Sequence, residues 1–210
     1  MSKFVILMAG DVSPTLRLKS QISNARIIAA DSGMKHAEVL SLTPELWVGD
    51  FDSTPTQLRD QWSRVEQERY PVAKDKTDGA LAVEAAIKRG ATEVILLGAF
   101  GGQFDHVLAH ATSLHAIAAQ GIKTFATSGW EEAWPLTTSL SLWQIPAGTR
   151  LSVVGLSDLK ALSILGVRWP LQKRDVPLGS TLTLSNESKG DISIALEQGR
   201  AMVMLYPEHR

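Results

Sequence analysis

The sequence contains no cysteine. Disulfide bonds, thiolate metal sites and a cysteine nucleophile are therefore excluded, and the composition fits a reducing cytoplasm. Long apolar runs are missing too. The first run, Phe4 to Ala9, is too short for the core of a signal peptide with its flanks, and no stretch reaches the length that spans a membrane. We therefore expect a soluble, cytoplasmic protein.

An excess of charge of either sign is also lacking, since 21 Lys and Arg residues stand against 22 Asp and Glu residues. A nearly neutral chain has no broad basic field, so we expect neither nucleic acid nor a membrane as a partner. Apolar residues, in contrast, make up 44% of the 210 residues. That share is enough to bury one sizeable core or two small ones.

The first half of the chain alternates short apolar runs with helix-length patterns. We predict buried strands at residues 4–8, 25–30, 46–48 and 94–97. Helices are predicted between them, at residues 34–42, 79–89 and 105–120, with Gly90 and Gly121 ending the last two. Strands that alternate with helices predict a mostly parallel sheet covered on both faces.

The second half has a different spacing of apolar residues. Beyond about residue 129 the helical pattern disappears, and short β-rich runs follow at residues 139–145, 151–155, 161–165, 180–184, 192–196 and 201–206. Such runs, separated by Gly, Pro, Asn and Ser, predict a small antiparallel sandwich or barrel. The expected fold is α/β, with an N-terminal mostly parallel sheet flanked by helices in residues 1–134 and a C-terminal antiparallel β-domain in residues 135–210.

Aspartates stand at strand ends or helix starts throughout the predicted parallel half. They are Asp31, Asp50, Asp52, Asp75, Asp78 and Asp105. Ligands bind beyond the carboxyl ends of the strands in an open parallel sheet, so we expect these acids at one edge. Each alone fits a helix cap or a solvated turn. Together they would repel one another unless a cation lay among them, and Mg²⁺ bound with nucleotide phosphates meets that need.

A glycine-rich turn, residues 98–102, follows the strand at 94–97. Backbone N–H groups in such a turn and at the start of the next helix can face an anion. The chain has no Walker A sequence, and Met8-Ala9-Gly10-Asp11 lacks the glycine spacing of a dinucleotide fold. P-loop proteins are therefore excluded, a dehydrogenase is disfavoured, and the acids with the turn indicate metal-assisted phosphate chemistry.

Three motifs resemble, in order, signatures of thiamine pyrophosphokinases: Gly49-Asp50-Phe51-Asp52-Ser53, Lys74-Asp75-Lys76-Thr77-Asp78 and Gly101-Gly102-Gln103-Phe104-Asp105-His106. Ala30-Asp31-Ser32-Gly33 resembles an early strand-end acid of that family. Two later segments resemble its thiamine-side motifs: Gly166-Val167-Arg168-Trp169-Pro170-Leu171 and Ser185-Asn186-Glu187. The similarity spans most of the chain, and the order and spacing of the motifs together are specific.

The resemblance implies an enzyme that transfers pyrophosphate from ATP to the hydroxyl of thiamine, giving thiamine diphosphate and AMP. It implies an N-terminal α/β domain that binds ATP and Mg²⁺ and a C-terminal antiparallel β-sandwich that binds thiamine and dimerises. It also implies a homodimer with active sites between subunits. The implied Mg²⁺ ligands are Asp50, Asp52 and Asp78, which with Asp105 form the catalytic set. The implied nucleotide contacts are Asp31, Ser53, Lys76, Thr77, Gly101, Gly102, Gln103 and His106. The implied thiamine contacts are Asp105, Trp169, Ser185 and Asn186.

Two positions depart from the family pattern. Gln103 stands where the family usually has Arg, so that an amide replaces a forked cation. His110 stands where the family often has Asn. His106 and His110 are four residues apart on a predicted helix, but no acidic zinc-protease motif accompanies them. We interpret His106 as part of the signature and His110 as a packing or surface residue.

Other functions remain as alternatives. Asp50-Phe51-Asp52-Ser53-Thr54 also resembles the nucleophile loop of haloacid-dehalogenase-type phosphatases, in which the first Asp forms a phospho-enzyme. That fold needs a second acidic pair late in an α/β domain, and the late part of this chain is β-rich. Closer competitors are a pyrophosphokinase acting on a pterin alcohol and a non-catalytic sensor of thiamine or nucleotide, for which Gln103 is the only hint.

Overall fold

The computed structural model describes residues 2–52, 54–73 and 75–207. The chain divides into two compact units: Met1–His110 with Ile117–Gly129, and Ala111–Ala116 with Trp130–Arg210. The division thus falls between residues 129 and 130, while the domain boundary expected from the sequence lies at residue 134. None of the described helices combines the length and the apolar character needed to cross a bilayer.

The first unit is built on a parallel sheet. Its strands are β1 (Lys3–Leu7), β2 (Arg26–Ala30), β3 (Leu46–Gly49), β4 (Glu66–Arg69), β5 (Glu93–Leu97) and β6 (Lys123–Thr127), in the order β4-β3-β2-β1-β5-β6. The predicted parallel sheet is confirmed. Leu7 is in register with both Ala29 and Leu97, so the carboxyl ends of the central strands meet at one edge. Strand β4 escaped prediction because its sequence, Glu-Gln-Glu-Arg, has no apolar alternation; of its four residues, none is buried.

Helices connect these strands. They are α1 (Leu16–Ile22), a 3-10 turn (Asp31–Met34), α2 (Lys35–Val39), α3 (Thr56–Gln61), α4 (Asp78–Lys88) and α5 (Phe104–Ala118). Thr77 is the N-cap of α4, because its Oγ1 accepts the N–H of Ala80 at 3.2 Å. At the other end Gly90 has φ +82°, and the left-handed conformation stops the helix as predicted. Asp78 is therefore the first helical residue and not the cap.

The second unit is antiparallel. Its strands are β7 (Glu132–Leu136), β8 (Ser139–Leu142), β9 (Arg150–Gly155), β10 (Leu159–Val167), β11 (Leu171–Val176), β12 (Asn186–Ala195) and β13 (Ala201–Tyr206). One ladder runs β7-β13-β9-β12 and a second runs β11-β10-β12-β8, so the long strand β12 belongs to both. Leu151 and Val203 of the first ladder share one core with Leu162 and Ile164 of the second. This packing is the predicted sandwich.

One predicted strand, at residues 180–184, is wrong. The segment forms turns, with the N–H of Ser180 donating to Pro177 O and the N–H of Leu184 donating to Thr181 O, both at 3.1 Å. Polar and apolar residues alternate in this segment as they do in a strand, but here a polar residue faces the core. Thr183 is buried and donates its hydroxyl to Val153 O. Strand β11 was missed for the opposite reason, because its central residues are charged or polar and exposed.

Candidate functional site

Strands β2 and β3 bring the first acids together. Ala30 is in register with Val48, so Asp31 and Gly49 lie side by side just beyond the paired residues. The approach is close, because a methyl group on Gly49 would lie 3.3 Å from both Cα and Cβ of Asp31. Asp31 therefore stands next to the loop that carries Asp50 and Asp52, as the strand ends predicted.

Asp31 is held in a strained conformation. Its φ is +42°, a value that non-glycine residues adopt only when their surroundings impose it. Two contacts do so here: the indole N–H of Trp47 donates to Asp31 O at 2.8 Å, and the hydroxyl of Thr54 donates to Asp31 Oδ1 at 2.8 Å. The carboxylate is thus oriented before any ligand binds.

The next loop is anchored by Phe51. This residue has φ +62° and is buried, with its ring edge-on to Trp47 at 4.9 Å between centroids. The guanidinium of Arg69 lies 5.3 Å from the same ring. Because Phe51 turns into the core, its neighbours turn outward: Asp50 is half-buried, Asp52 is exposed, and Asp50 Oδ1 accepts the N–H of Asp52 at 3.3 Å.

The start of α4 supplies a fourth acid, Asp78, which is half-buried. The two residues before it already have partners: the Thr77 hydroxyl caps the helix, and Lys76 Nζ pairs with Glu84 Oε1 at 2.6 Å on the surface. An exposed pair of this kind contributes little to stability, so Lys76 can exchange Glu84 for another anion. Ser53 and Lys74 lie outside the described residues.

The glycine turn of residues 98–102 is paired with the segment that follows β1. Gly10 N–H donates to Gly98 O, and Asp11 N–H donates to Phe100 O, each at 2.8 Å. Gly101 and Gly102 have φ +83° and +77°, which favour glycine. The turn is therefore a fixed piece of backbone at the same sheet edge as the acids.

We expect Gly10→Ala to destabilise the protein by about 2 kcal/mol, because a Cβ there would lie 1.9 Å from Phe100 O and overpack the turn. Urea unfolding measures the effect. Gly121→Ala is the control, since Gly121 has φ +78° but nothing within 4 Å of a Cβ. It should cost only about 1 kcal/mol; an equal loss of stability in both variants would contradict the packing explanation.

Helix α5 begins beside the glycine turn. Asp105 and His106 are exposed in its first turn, and Asp105 Oδ1 accepts the N–H of His106 at 2.9 Å. Gln103 is exposed, and its carbonyl accepts the N–H of Val107 at 3.2 Å. His110 is half-buried, with Nδ1 3.2 Å from Ala99 O. It is therefore bonded to the glycine turn, which the packing or surface interpretation did not foresee.

Asp11 is an acid that the sequence reasoning missed. It lies four residues beyond β1, whereas Asp31 directly follows β2, and its place in the segment after a strand was the available signal. A Cβ on Gly101 would lie 2.6 Å from Asp11 Oδ2, so the carboxylate rests against the glycine turn. It also favours the protonated form of the nearby His36, whose Nε2 lies 2.9 Å from Gly10 O.

His36 makes stability depend on pH. Burial lowers the pKa of His36; the hydrogen bond to Gly10 and the charge of Asp11 oppose this effect, and Lys35 reinforces it. Because the pKa is lower in the folded than in the unfolded chain, the contribution is fully present above about pH 6.5 and is lost as the pH falls below it.

We expect the free energy of unfolding to decrease from pH 7.5 to pH 5.5, and to decrease less in His36→Gln. In that variant the side-chain amide still donates to Gly10 O but does not titrate. Urea unfolding at the two pH values measures the difference. The pKa values of His110 and His115 are also lowered by burial, so a smaller pH dependence should remain. An unchanged pH dependence in His36→Gln would contradict the assignment.

The second unit presents Trp169 on the turn between β10 and β11. Its side chain is 53% exposed, so it is not part of the sandwich core. Gly166 makes the bulge that precedes it: φ is +77°, and a Cβ would lie 2.0 Å from Asp191 O. The guanidinium of Arg168 lies 4.7 Å from the Trp169 ring and pairs with Glu187 at 3.0 Å.

Asn186 clamps the backbone of Trp169. Its Oδ1 accepts the N–H of Trp169 at 3.1 Å, and its Nδ2 donates to Trp169 O at 2.8 Å. Asn186 is buried, whereas its neighbour Ser185 is exposed with φ +58° and donates its N–H to Ser152 Oγ at 3.0 Å. The amide of Asn186 thus orients the turn, and the Trp169 ring and the Ser185 hydroxyl remain on the surface of this unit.

The acids suit a magnesium ion that arrives with a nucleotide. Within the described ranges, no three His, Asp or Glu side chains already converge on a point that could hold a metal ion. Asp31, Asp50, Asp52 and Asp78 nevertheless offer carboxylate oxygens at one sheet edge. Mg²⁺ prefers such oxygens and needs only one or two from the protein when phosphates and water complete its shell. The donor set fits a metal–nucleotide complex better than a resident metal.

Comparison of the sequence with known proteins identifies a family that this chain matches. A family model described as thiamin pyrophosphokinase, catalytic domain, matches residues 18–126, more than half of the chain. Thiamine pyrophosphokinase of Bacillus subtilis (strain 168) is 28% identical over 187 residues, which cover 80% of this chain and 82% of the relative.

Solved structures show the same fold. The thiamine pyrophosphokinase from Bacillus subtilis aligns with a TM-score of 0.87 at 20% identity, over 99% of this chain and 100% of that one. A thiamin pyrophosphokinase family protein from Enterococcus faecalis aligns with a TM-score of 0.84 at 22% identity, over 100% of both chains. At these identities the likeness concerns the fold alone.

Proposed function

Because the chain belongs to the thiamin pyrophosphokinase family, we propose that it transfers pyrophosphate from ATP to the hydroxyl of thiamine, giving thiamine diphosphate and AMP. The chain is thus an ATP-dependent diphosphotransferase. The observation that carries the proposal is the meeting of strand-end acids with a glycine turn at one edge of the parallel sheet. This edge lies within the part of the chain that the family model matches, apart from the segment after β1.

The acids divide by role. Asp50, Asp52 and Asp78 would hold Mg²⁺, which supplies neutralisation of the phosphate charge and of the leaving AMP when it is bound. Asp31 stands beside them and supports the nucleotide site. Asp105 is exposed at the start of α5, so it can orient the thiamine hydroxyl and accept its proton as the oxygen attacks the β-phosphorus. Such a transfer depends on in-line positioning more than on covalent chemistry.

The nucleotide would be bound by backbone more than by cations. The N–H groups of Gly101 and Gly102 face the phosphates in this proposal, with Thr77, Lys76 and His106 as further contacts. Ser53 lies outside the described residues and is proposed as a nucleotide contact from its motif alone. Gln103 provides an amide where a guanidinium would form two bonds to phosphate. We therefore expect Mg²⁺ to carry most of the charge neutralisation in this chain.

Thiamine would stack on Trp169, since a cationic aromatic ring suits the face of an exposed indole. Ser185 lies on the adjoining segment, and Asn186 holds the turn in place. We propose a homodimer, because Leu178, Leu182 and Leu184 are 60%, 56% and 42% exposed in one short segment of the second unit. The roles of the two domains and a cytoplasmic location also remain predictions.

One assay tests the proposal. Purified protein with Mg-ATP and thiamine is expected to form AMP and thiamine diphosphate in equal amounts. Absence of thiamine-dependent AMP would contradict it. Phosphate release from phosphate esters without ATP would indicate the phosphatase, AMP formation with a pterin alcohol but not with thiamine would indicate the related pyrophosphokinase, and thiamine binding without AMP would indicate the sensor.

A further inference from the structure

The direction of the carbonyl groups decides whether the glycine turn can bind phosphate. An anion needs N–H groups before it, and a peptide rotated by half a turn presents a carbonyl oxygen instead. The carbonyls of Gly98 and Phe100 are both held on the side of the segment after β1, by the N–H groups of Gly10 and Asp11 at 2.8 Å each. The carbonyl between them, of Ala99, needs a donor of its own.

His110 is that donor. Its Nδ1 lies 3.2 Å from Ala99 O, and because a carbonyl only accepts, Nδ1 carries the hydrogen. The ring is half-buried, and its Nε2 lies 3.9 Å from the place that a Cβ on Gly79 would take. The imidazole therefore fills the space between the glycine turn and the first turn of α4, where it cannot easily swing away.

We propose that His110 is a positioning residue for nucleotide binding. The C=O and N–H of one trans peptide point in opposite directions, so the bond to Ala99 O also fixes the N–H of Phe100. Without it the Ala99–Phe100 peptide can rotate, and its carbonyl can turn toward the phosphates. His110 itself touches no substrate in this role; it acts through the turn. This inference rests on the proposed function for the identity of the ligand.

The position of the donor atom gives a sharp test. In Asn the amide nitrogen is attached to Cγ, as Nδ1 is in His, so His110→Asn keeps a donor at the same number of bonds from the backbone. In Gln the nitrogen is one bond farther out, as Nε2 is in His, so His110→Gln keeps an amide but moves the donor. His110→Ala removes the donor and the ring together.

We expect His110→Gln and His110→Ala to raise the KM for ATP about 10-fold, because a partly buried carbonyl loses its hydrogen bond. The KM for thiamine should not change, and His110→Asn should stay within about 2-fold of the wild type. Calorimetric binding of Mg-ATP without thiamine should weaken in the same order. Urea unfolding of each variant shows that the fold is retained.

Equal losses in all three variants, or an unchanged KM for ATP in His110→Ala, would overturn the inference while the proposed function stands. A different outcome separates the two proposals: the wild type binds Mg-ATP but forms no thiamine-dependent AMP, and binding weakens in His110→Gln and His110→Ala but not in His110→Asn. In that case the inference stands and the proposed function fails. A wild type that binds no Mg-ATP at all overturns both.

Discussion

Asp52→Asn is expected to remove thiamine-dependent AMP formation almost completely while the fold stays intact. Asp52 is exposed and lies on the loop that Phe51 anchors, so its side chain contributes little to packing. Loss of a carboxylate that holds Mg²⁺ removes several kcal/mol of charge stabilisation, which corresponds to a fall in kcat of about 10²-fold to 10⁴-fold. Initial rates across a range of Mg²⁺ concentrations measure the loss.

Asp60→Asn is the matched control, because Asp60 is also an exposed acid, on α3 of the same unit. It should leave kcat unchanged, and both variants should unfold in urea as the wild type does. If Asp52→Asn kept a kcat within a few-fold of the wild type at every Mg²⁺ concentration, Asp52 would be a solvated turn residue and the metal assignment would be wrong.

Trp169→Ala is expected to raise the KM for thiamine about 10-fold, since a cation on an indole face contributes about 0.5–2 kcal/mol. The KM for ATP should stay the same. The ring is 53% exposed and the turn is held through its backbone, so truncation should not unfold the unit. Trp169→Phe should lose less, because a smaller aromatic face remains. Steady-state kinetics with each substrate varied in turn separates the two KM values.

Trp143→Ala serves as the control, since Trp143 is 69% exposed on the same unit. Its KM for thiamine should match the wild type. Asn186→Ala should resemble Trp169→Ala in its KM and should also lower stability, because two backbone groups of Trp169 lose their partner. Identical KM values in Trp169→Ala and Trp143→Ala would contradict the assigned role of Trp169.

The sequence predicts that the aspartates lie at one edge of the sheet, because the apolar runs show where the buried strands end. The runs at 25–30 and 46–48 place Asp31 and Asp50 just beyond paired residues, and the register of β2 with β3 then brings them together. Asp11 is not predicted in this way because it lies four residues beyond the end of β1, whereas Asp31 and Asp50 come directly after β2 and β3.

Hydrogen bonds between distant segments are what the sequence does not reveal. Thr77 is the cap of α4, and Asn186 grips the backbone of Trp169 across 17 positions. Nothing local distinguishes His110 from a surface histidine until α5 is packed beside the glycine turn. The segment at 180–184 fails for a related reason, because its alternation is correct for a strand but the tertiary structure buries the polar residue, Thr183.

The most direct test of the central claim follows the phosphorus atoms. ATP labelled separately at the β- and γ-phosphorus is incubated with the protein, Mg²⁺ and thiamine, and the products are separated. Transfer of an intact pyrophosphate predicts both labels in thiamine diphosphate in equal amounts, with unlabelled AMP as the other product. Transfer of the γ-label alone, with ADP as the other product, would contradict the account.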